Sequence, residues 1–263
     1  MSFENQSISK RDSVWHNFCG NALAVMRVER RAQHPSRDFV DRLMHRWFTD
    51  RSFEWLEVGV VGMVDYSHLR PTLNFQFTGA DLSESIAKDS CRYIQRPEDG
   101  IIVWDIEDPP DAALHARYNI VTLRHVLNHC EYYKKPLDHV AAVLRPGGWV
   151  VIVLHLCLVT GPDRFHRHRD WSVPGEVIGN HYNQEKFLDY FALHFKPELW
   201  VRVDDGKKPN DIIIGRNRSK GHNAPSGVQR LRMHRLWSAR GRRNAPRRVL
   251  SRLCFWLRTP LPR

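Results

Sequence analysis

Two acids and a glycine turn carry the first chemistry in this sequence. Phe53–Gly62 is a short apolar run whose last acid, Glu57, is followed closely by Gly59 and Gly62. A buried parallel strand reads as such a run, and a glycine just beyond it lets the backbone approach a ligand where a side chain would not. About twenty residues on, Asn74–Asp81 is a second apolar element that also finishes on an acid. A strand, a glycine turn and an acid closing the next strand can hold a dinucleotide-like ligand, the acid accepting hydrogen bonds from ribose hydroxyls. The same pieces also make an ordinary strand-to-helix turn with no ligand. The pattern needs support from the rest of the chain.

That support comes from three later segments. Gly100–Trp104 runs into Asp105, Tyr118–Thr122 leads to a helix-like stretch near Arg124, and Leu144-Arg145-Pro146-Gly147-Gly148 turns into Trp149–Val153. In this order and spacing they resemble the class I S-adenosylmethionine (SAM)-dependent methyltransferases, from about residue 50 to residue 216. The Leu-Arg-Pro-Gly-Gly turn before an apolar strand is the most specific piece. The resemblance implies a Rossmann-like α/β fold: a seven-stranded, mostly parallel sheet with a C-terminal antiparallel hairpin, helices on both faces and two N-terminal helices. It implies SAM as cofactor. Glu57 would support the turn, Gly59 and Gly62 would lie against the cofactor, and Asp81 would take the ribose. Asp105 with Ile106 would meet the adenine, while Thr122 and Leu123 would border the cofactor at the exit of the fourth strand. Two departures stand out. The family loop reads Gly-x-Gly-x-Gly, whereas Val61 and Met63 occupy two of those positions, and Asn119 replaces the acid common early in the fourth strand.

Methyl transfer is an in-line displacement at an activated sulfonium, so the protein must align a nucleophile and, for a hydroxyl, remove its proton. Histidine suits the second task because its ordinary pKa is about 6.5. His125, His155 and His181 are the candidates, and His125 and His181 are the ones expected to be catalytic. His125 has the best address, at the carboxyl edge of the sheet, where open α/β folds bind ligands. Each histidine also has a plain structural reading. His125 and His129 are four residues apart, a zinc spacing when both lie on one helix face, but the stretch lacks the glutamate of a zinc-protease helix. His166, His168, Asp170 and His181 could hold a divalent ion, but Arg164, Arg167 and Arg169 oppose a cation. No metal is therefore expected. Arg124, His155, His166, His168, Asp170 and Trp171 are expected to meet an acidic or hydroxylated acceptor.

The elements that must position these residues follow from hydrophobic spacing. Asp12–Arg31 and a stretch opening at Ser36 repeat apolar residues at helical intervals, giving a helical cap over residues 1–50. Residues 51–216 form the methyltransferase domain. A helical run over His125–Val143 is expected to divide at Pro136, and residues 160–182, with Gly161-Pro162 and Pro174-Gly175, read as a loop of several turns. A helix over Gln184–Phe195 precedes the hairpin Leu199–Val203 and Ile212–Ile214.

Beyond that, composition changes sharply. The net charge of +11 belongs to residues 216–263, which hold 14 of the 40 basic residues and no acid, leaving the rest near −3. Residues 217–263 therefore read as a basic tail, partly disordered or helical. Its Trp237, Phe255 and Trp256 among arginines suit an anionic membrane surface or a partner protein, and its charge suits RNA. Five scattered cysteines with no C-x-x-C argue against a disulfide framework or a cysteine zinc site. The first fifteen residues lack a signal-peptide core and no apolar run is long enough to span a bilayer, so a cytoplasmic protein is expected. The leading function is methyl transfer from SAM to an oxygen or nitrogen of a small molecule. An RNA methyltransferase and a non-catalytic binding or scaffold protein of the same fold are the alternatives.

Overall fold

The computed structural model describes residues 35–60, 66, 68–91, 96–130, 132–155, 158–169, 176–204, 210–218 and 234–237. The expected helix over Asp12–Arg31, Gly62, Asp170, Trp171 and most of the tail lie outside them.

In chain order the elements are α1 (Pro35–Phe48), β1 (Phe53–Val58), β2 (Phe75–Asp81), α2 (Glu84–Cys91), β3 (Gly100–Val103), β4 (Tyr118–Arg124), α3 (Lys134–Val143) and β5 (Leu144–His155). Then come β6 (Leu158–Val159), β7 (Arg164–Arg169), β8 (Glu176–Asn183), α4 (Gln184–His194), β9 (Phe195–Asp204), β10 (Asn210–Asn217) and β11 (His234–Trp237). The main sheet runs β11-β9-β10-β5-β4-β1-β2-β3. Strands β3 to β5 are parallel throughout, and β10 is antiparallel to both β5 and β9. This is the expected seven-stranded sheet with its closing hairpin. An eighth strand, β11, comes from inside the stretch that composition marks as a tail and pairs parallel with β9.

Alternation along the central strands divides the core between the two faces. Trp55, Ile120, Trp149, Val151 and Val153 face α1, where Phe39, Leu43, Met44 and Trp47 complete a cluster. Trp47 stacks on Trp149 with ring centres 3.9 Å apart. Leu56, Val58, Val121, Leu123, Val150 and Ile152 face the other way, onto Leu137 and Val140 of α3 and Phe187 and Phe191 of α4. Strands buried on both faces explain why β1, β4 and β5 read as near-continuous apolar runs.

Three sequence expectations are corrected here. The break after β4 falls at Cys130–Tyr133, not at Pro136: a single 3-10 turn, Leu127–His129, comes first, and α3 starts at Lys134. Pro136 stands in the first turn of α3, where a missing N–H leaves no intrahelical bond unmade. Residues 160–182 are not a loop of turns. They supply β7 and most of β8, an antiparallel pair that with β6 forms a small sheet of order β6-β8-β7. Gly161-Pro162 does lie in a bend before β7, but Arg164–Arg169 is too polar to be recognised as a strand. Third, β3 stops at Val103, so Asp105 lies in the turn beyond it rather than at the strand's end.

Gly215 of β10 packs against Phe191 of α4 and Phe195 at the start of β9. A Cβ there would come 2.6 Å from Phe191 Cζ and 3.0 Å from Phe195 Cβ. Phe191 and Phe195 are both fully buried, so neither can swing away cheaply. Gly215→Val is expected to destabilise the fold by about 1–3 kcal/mol, read as a lower midpoint in urea unfolding.

Candidate active site

The strand order reverses between β2-β1 and β4-β5, so the ends of β1 and β4 border the crevice where open α/β sheets bind ligands. Gly59 leaves β1 with φ at +77°, in the left-handed region, and its N–H donates to Ala80 O at 2.8 Å. A Cβ on Gly59 would sit 2.5 Å from Val126 Cγ2, so both conformation and space require glycine. His125 leaves β4 with φ at +60° and its N–H donates to Val153 O at 2.9 Å. Val126, the residue after His125, packs against Gly59.

Beneath these turns lies a buried polar network. Register places Glu57 opposite Thr122, with Arg124 two residues further along β4 on the same face. Arg124 donates to Glu57 Oε1 through Nε at 2.8 Å and through Nη2 at 2.5 Å. Tyr66 donates its hydroxyl proton to Glu57 Oε2 and accepts from Arg124 Nη2. Thr122 Oγ1 donates to Oε2 at 3.4 Å while accepting from Trp55 Nε1 at 2.9 Å. Each carboxylate oxygen thus has two donors, the full capacity of the group. Burial disfavours the Arg124 charge, but Glu57 beside it outweighs that and raises the guanidinium above its ordinary value. Glu57 therefore supports the turn and has no lone pair left over for a ligand.

The other acids sit at successive strand exits. Asp81, buried at the end of β2, accepts from Ser83 N at 3.0 Å through Oδ1, shaping the entry to α2. Asp105, half-buried, accepts from Glu107 N at 2.9 Å. Ile106 beside it is buried in the core, and its carbonyl meets His139 Nδ1 at 2.7 Å.

The small sheet docks onto the loop after β4. Tyr182 donates its hydroxyl proton to Leu127 O at 2.6 Å, and Asn180 donates through Nδ2 to Cys130 O. Asn180 and Tyr182 alternate with His181, so they share the docked face of β8 while half-buried His181 stands on the other, opposite Arg164. His166 and His168 pair in register with Gly179 and Val177.

The expected residues thus separate into groups. Gly59, Asp81, Asp105 and His125 gather at neighbouring strand exits. Thr122 and Leu123 have no exposed surface: Thr122 serves Glu57 and Leu123 packs in the core, so their side chains do not border the crevice. Arg124 was expected beside the acceptor, but its side chain is only 5% exposed and engaged by Glu57. His125 and His129 do not share a helix face, since one ends a strand and the other a 3-10 turn. His155 ends β5 in register with Asn210. Among the described residues no group of three metal-ligating side chains comes together. Sequence reasoning missed Tyr66, Asn180 and Tyr182. Only Arg124, a charge closing an otherwise apolar strand, hinted that β4 carried a buried partner for Glu57.

Comparison with known proteins agrees with this architecture. Residues 28–201 match a family model described as a methyltransferase domain, which spans more than half of the chain. The chain belongs to that family and is a SAM-dependent methyltransferase of the class I, Rossmann-like type. Among solved structures it is similar to the Burkholderia thailandensis 1,6-didemethyltoxoflavin-N1-methyltransferase with its substrate and S-adenosylhomocysteine. The two are 16% identical, with a TM-score of 0.54, over 78% of this chain and 90% of that one. A SAM-dependent methyltransferase from Methanosarcina mazei gives 12% identity and a TM-score of 0.51, over 71% and 98%. A Haloferax volcanii complex containing the Trm112 methyltransferase activator gives 12% and 0.52, over 71% and 94%. At these identities the likeness is one of fold. No curated protein matches in sequence.

Removing one partner of a buried ion pair leaves an uncompensated charge. Arg124→Ala is therefore expected to cost about 3–5 kcal/mol of stability, whereas Glu57→Leu combined with Arg124→Met should lose less than the two single changes together. Denaturant unfolding of the single and double variants checks this.

Proposed function

We propose that this methyltransferase acts on an oxygen or nitrogen of a small molecule, with its cofactor held by Gly59, Asp81 and Asp105. The residues present suit SAM: a left-handed glycine for close backbone approach, followed by an acid at each of the next two strand exits. When bound, SAM supplies a methyl group on a positively charged sulfur. The chain's own tasks are to orient the acceptor, exclude water and take up a proton. His125 is the proposed base, at the exit of β4, and would accept the proton that a hydroxyl loses as it is methylated.

The observation that carries the small-molecule reading is the docked hairpin. Tyr182 and Asn180 fasten β8 to the very loop that follows His125. A site roofed by its own chain favours an acceptor that can be enclosed. In this reading His181, with His166, His168, Asp170, Trp171 and His155, contributes to the acceptor's side. The similar Burkholderia enzyme acts on a small molecule, but at 16% identity that bears on the fold and not on this acceptor.

The second reading is methylation of RNA, favoured by the acid-free stretch 216–263 with its 14 basic residues. The same stretch suits an anionic membrane or a partner protein. Among the described residues no helix is long and apolar enough to cross a membrane. A cytoplasmic location is part of this reading. Salt-sensitive retention of the full chain on RNA, at levels well above a variant with the basic residues of 240–258 replaced by glutamine, would favour the second reading over the first.

Losing a hydrogen bond to a charged group costs about 1.5–3 kcal/mol. Asp81→Ala is therefore expected to weaken SAM binding by roughly ten- to a hundredfold in calorimetry. A folded Asp81→Ala variant that binds as tightly as the parent would remove Asp81 from the ribose site. His125→Ala should leave that affinity within about threefold, because a base facing the acceptor adds little to cofactor binding.

A further inference from the structure

The Glu57 network reaches beyond β1 and β4. Tyr66 stands seven residues after Gly59, on the far side of the stretch in which Val61 and Met63 replace the family's glycines. One carboxylate therefore ties down both ends of the cofactor turn. Glu57 is two residues before Gly59, and Tyr66, beyond the turn, is bonded to the same group. Arg124 closes the arrangement from β4, touching Glu57 and Tyr66 together. The Tyr66 ring lies 4.2 Å from the Trp55 ring and 5.1 Å from the Phe77 ring, centre to centre, which fixes where its hydroxyl can go.

We propose that Tyr66, Glu57 and Arg124 are positioning residues for the cofactor, a buried clamp that anchors the β1 exit at Gly59 and ties it to the β4 exit bearing His125. The physical reason lies in what the glycines otherwise supply. A glycine-rich loop can adopt torsions and close approaches that Val61 and Met63 resist. Anchoring the chain at Glu57 and again at Tyr66 lowers the ordering cost of binding, which is the usual route by which pre-organisation raises affinity. Arg124 suits the part better than lysine, because its planar fork engages one carboxylate through two N–H groups at once. The clamp itself does not touch the ligand: Glu57 is fully buried and Arg124 nearly so. Its effect on the cofactor is carried by Gly59. This inference rests on the cofactor lying against Gly59.

The test is calorimetry of the full chain with S-adenosylhomocysteine, run below the unfolding midpoint of every variant. Tyr66→Phe removes the hydroxyl and keeps the ring, and is expected to weaken binding roughly tenfold, within the range seen for residues that act on a ligand from a distance. Arg124→Lys keeps the charge and loses the fork, and should weaken it similarly, so the proposal survives if one of the two fails to fold. The control is Arg202→Met. Arg202 donates to Asp211 at 2.7 and 2.6 Å in a pair between β9 and β10 whose acid is fully buried and whose arginine is partly exposed. Breaking it should lower the melting temperature yet leave affinity within about twofold, as independent sites do. Weakened binding in the clamp variants with unchanged binding in Arg202→Met supports the clamp. Clamp variants that are folded and bind like the parent overturn it, as does an equal loss in Arg202→Met. A parent chain that binds no S-adenosylhomocysteine overturns both the clamp and the cofactor site on which it rests.

Discussion

Burying Glu57 is the constraint on which the rest of this structure depends. A carboxylate with no exposed surface, at the inner end of the central strand, is costly unless all its acceptor capacity is met. The fold meets it with Arg124 and Thr122 from β4 and Tyr66 from beyond the cofactor turn. That requirement sets the register of β1 against β4, since a shift of one residue would turn Arg124 to the opposite face. It also fixes the place where Gly59 must turn. A hydrophobic residue at position 57 could pack there as well, but it would bind neither the turn nor β4 in one geometry.

A second chain of contacts runs outward from the same strand exit. The loop after His125 presents Val126 to Gly59 on one side and the carbonyls of Leu127 and Cys130 to β8 on the other. The β1 exit, His125 and the small sheet are thus joined through the seven residues from Arg124, the end of β4, to Cys130. Asn183 anchors the base of the hairpin: its side chain caps α4 by accepting from Lys186 N at 2.9 Å and donates to Gly161 O at 2.8 Å. The insertion is fastened at both its base and its middle.

Much of this was legible in the sequence, for a definite reason. Strands buried on both faces leave unmistakable apolar runs, and Gly59 and Asp81 mark where β1 and β2 end, whereas the expected turn at Pro146-Gly147-Gly148 falls inside β5, at the irregularity in its pairing with β4. The hairpin β9–β10 announced itself by two apolar runs about a polar turn. Polar elements were harder. Arg164–Arg169 carries five basic or imidazole side chains in six positions, and its strand character comes from pairing with β8 rather than from its own pattern. His234–Trp237 likewise sits in a basic, acid-free stretch and joins the sheet only through β9. Arg124 was assigned to the acceptor because charge near a strand exit suggests function. Its partner was invisible without knowing that Glu57 and Thr122 would be opposite one another. Tyr66 gave no local signal at all.

The central claim is that SAM binds over Gly59, between the exits of β1 and β4, with the supporting network intact beneath it. A crystal structure of the full chain grown with S-adenosylhomocysteine tests this directly. The account predicts the ribose against the Asp81 carboxylate, the adenine near Asp105, and Glu57 still bonded to Arg124 and Tyr66. Cofactor density elsewhere, or an Arg124 side chain swung out of the network to contact the ligand, would contradict it.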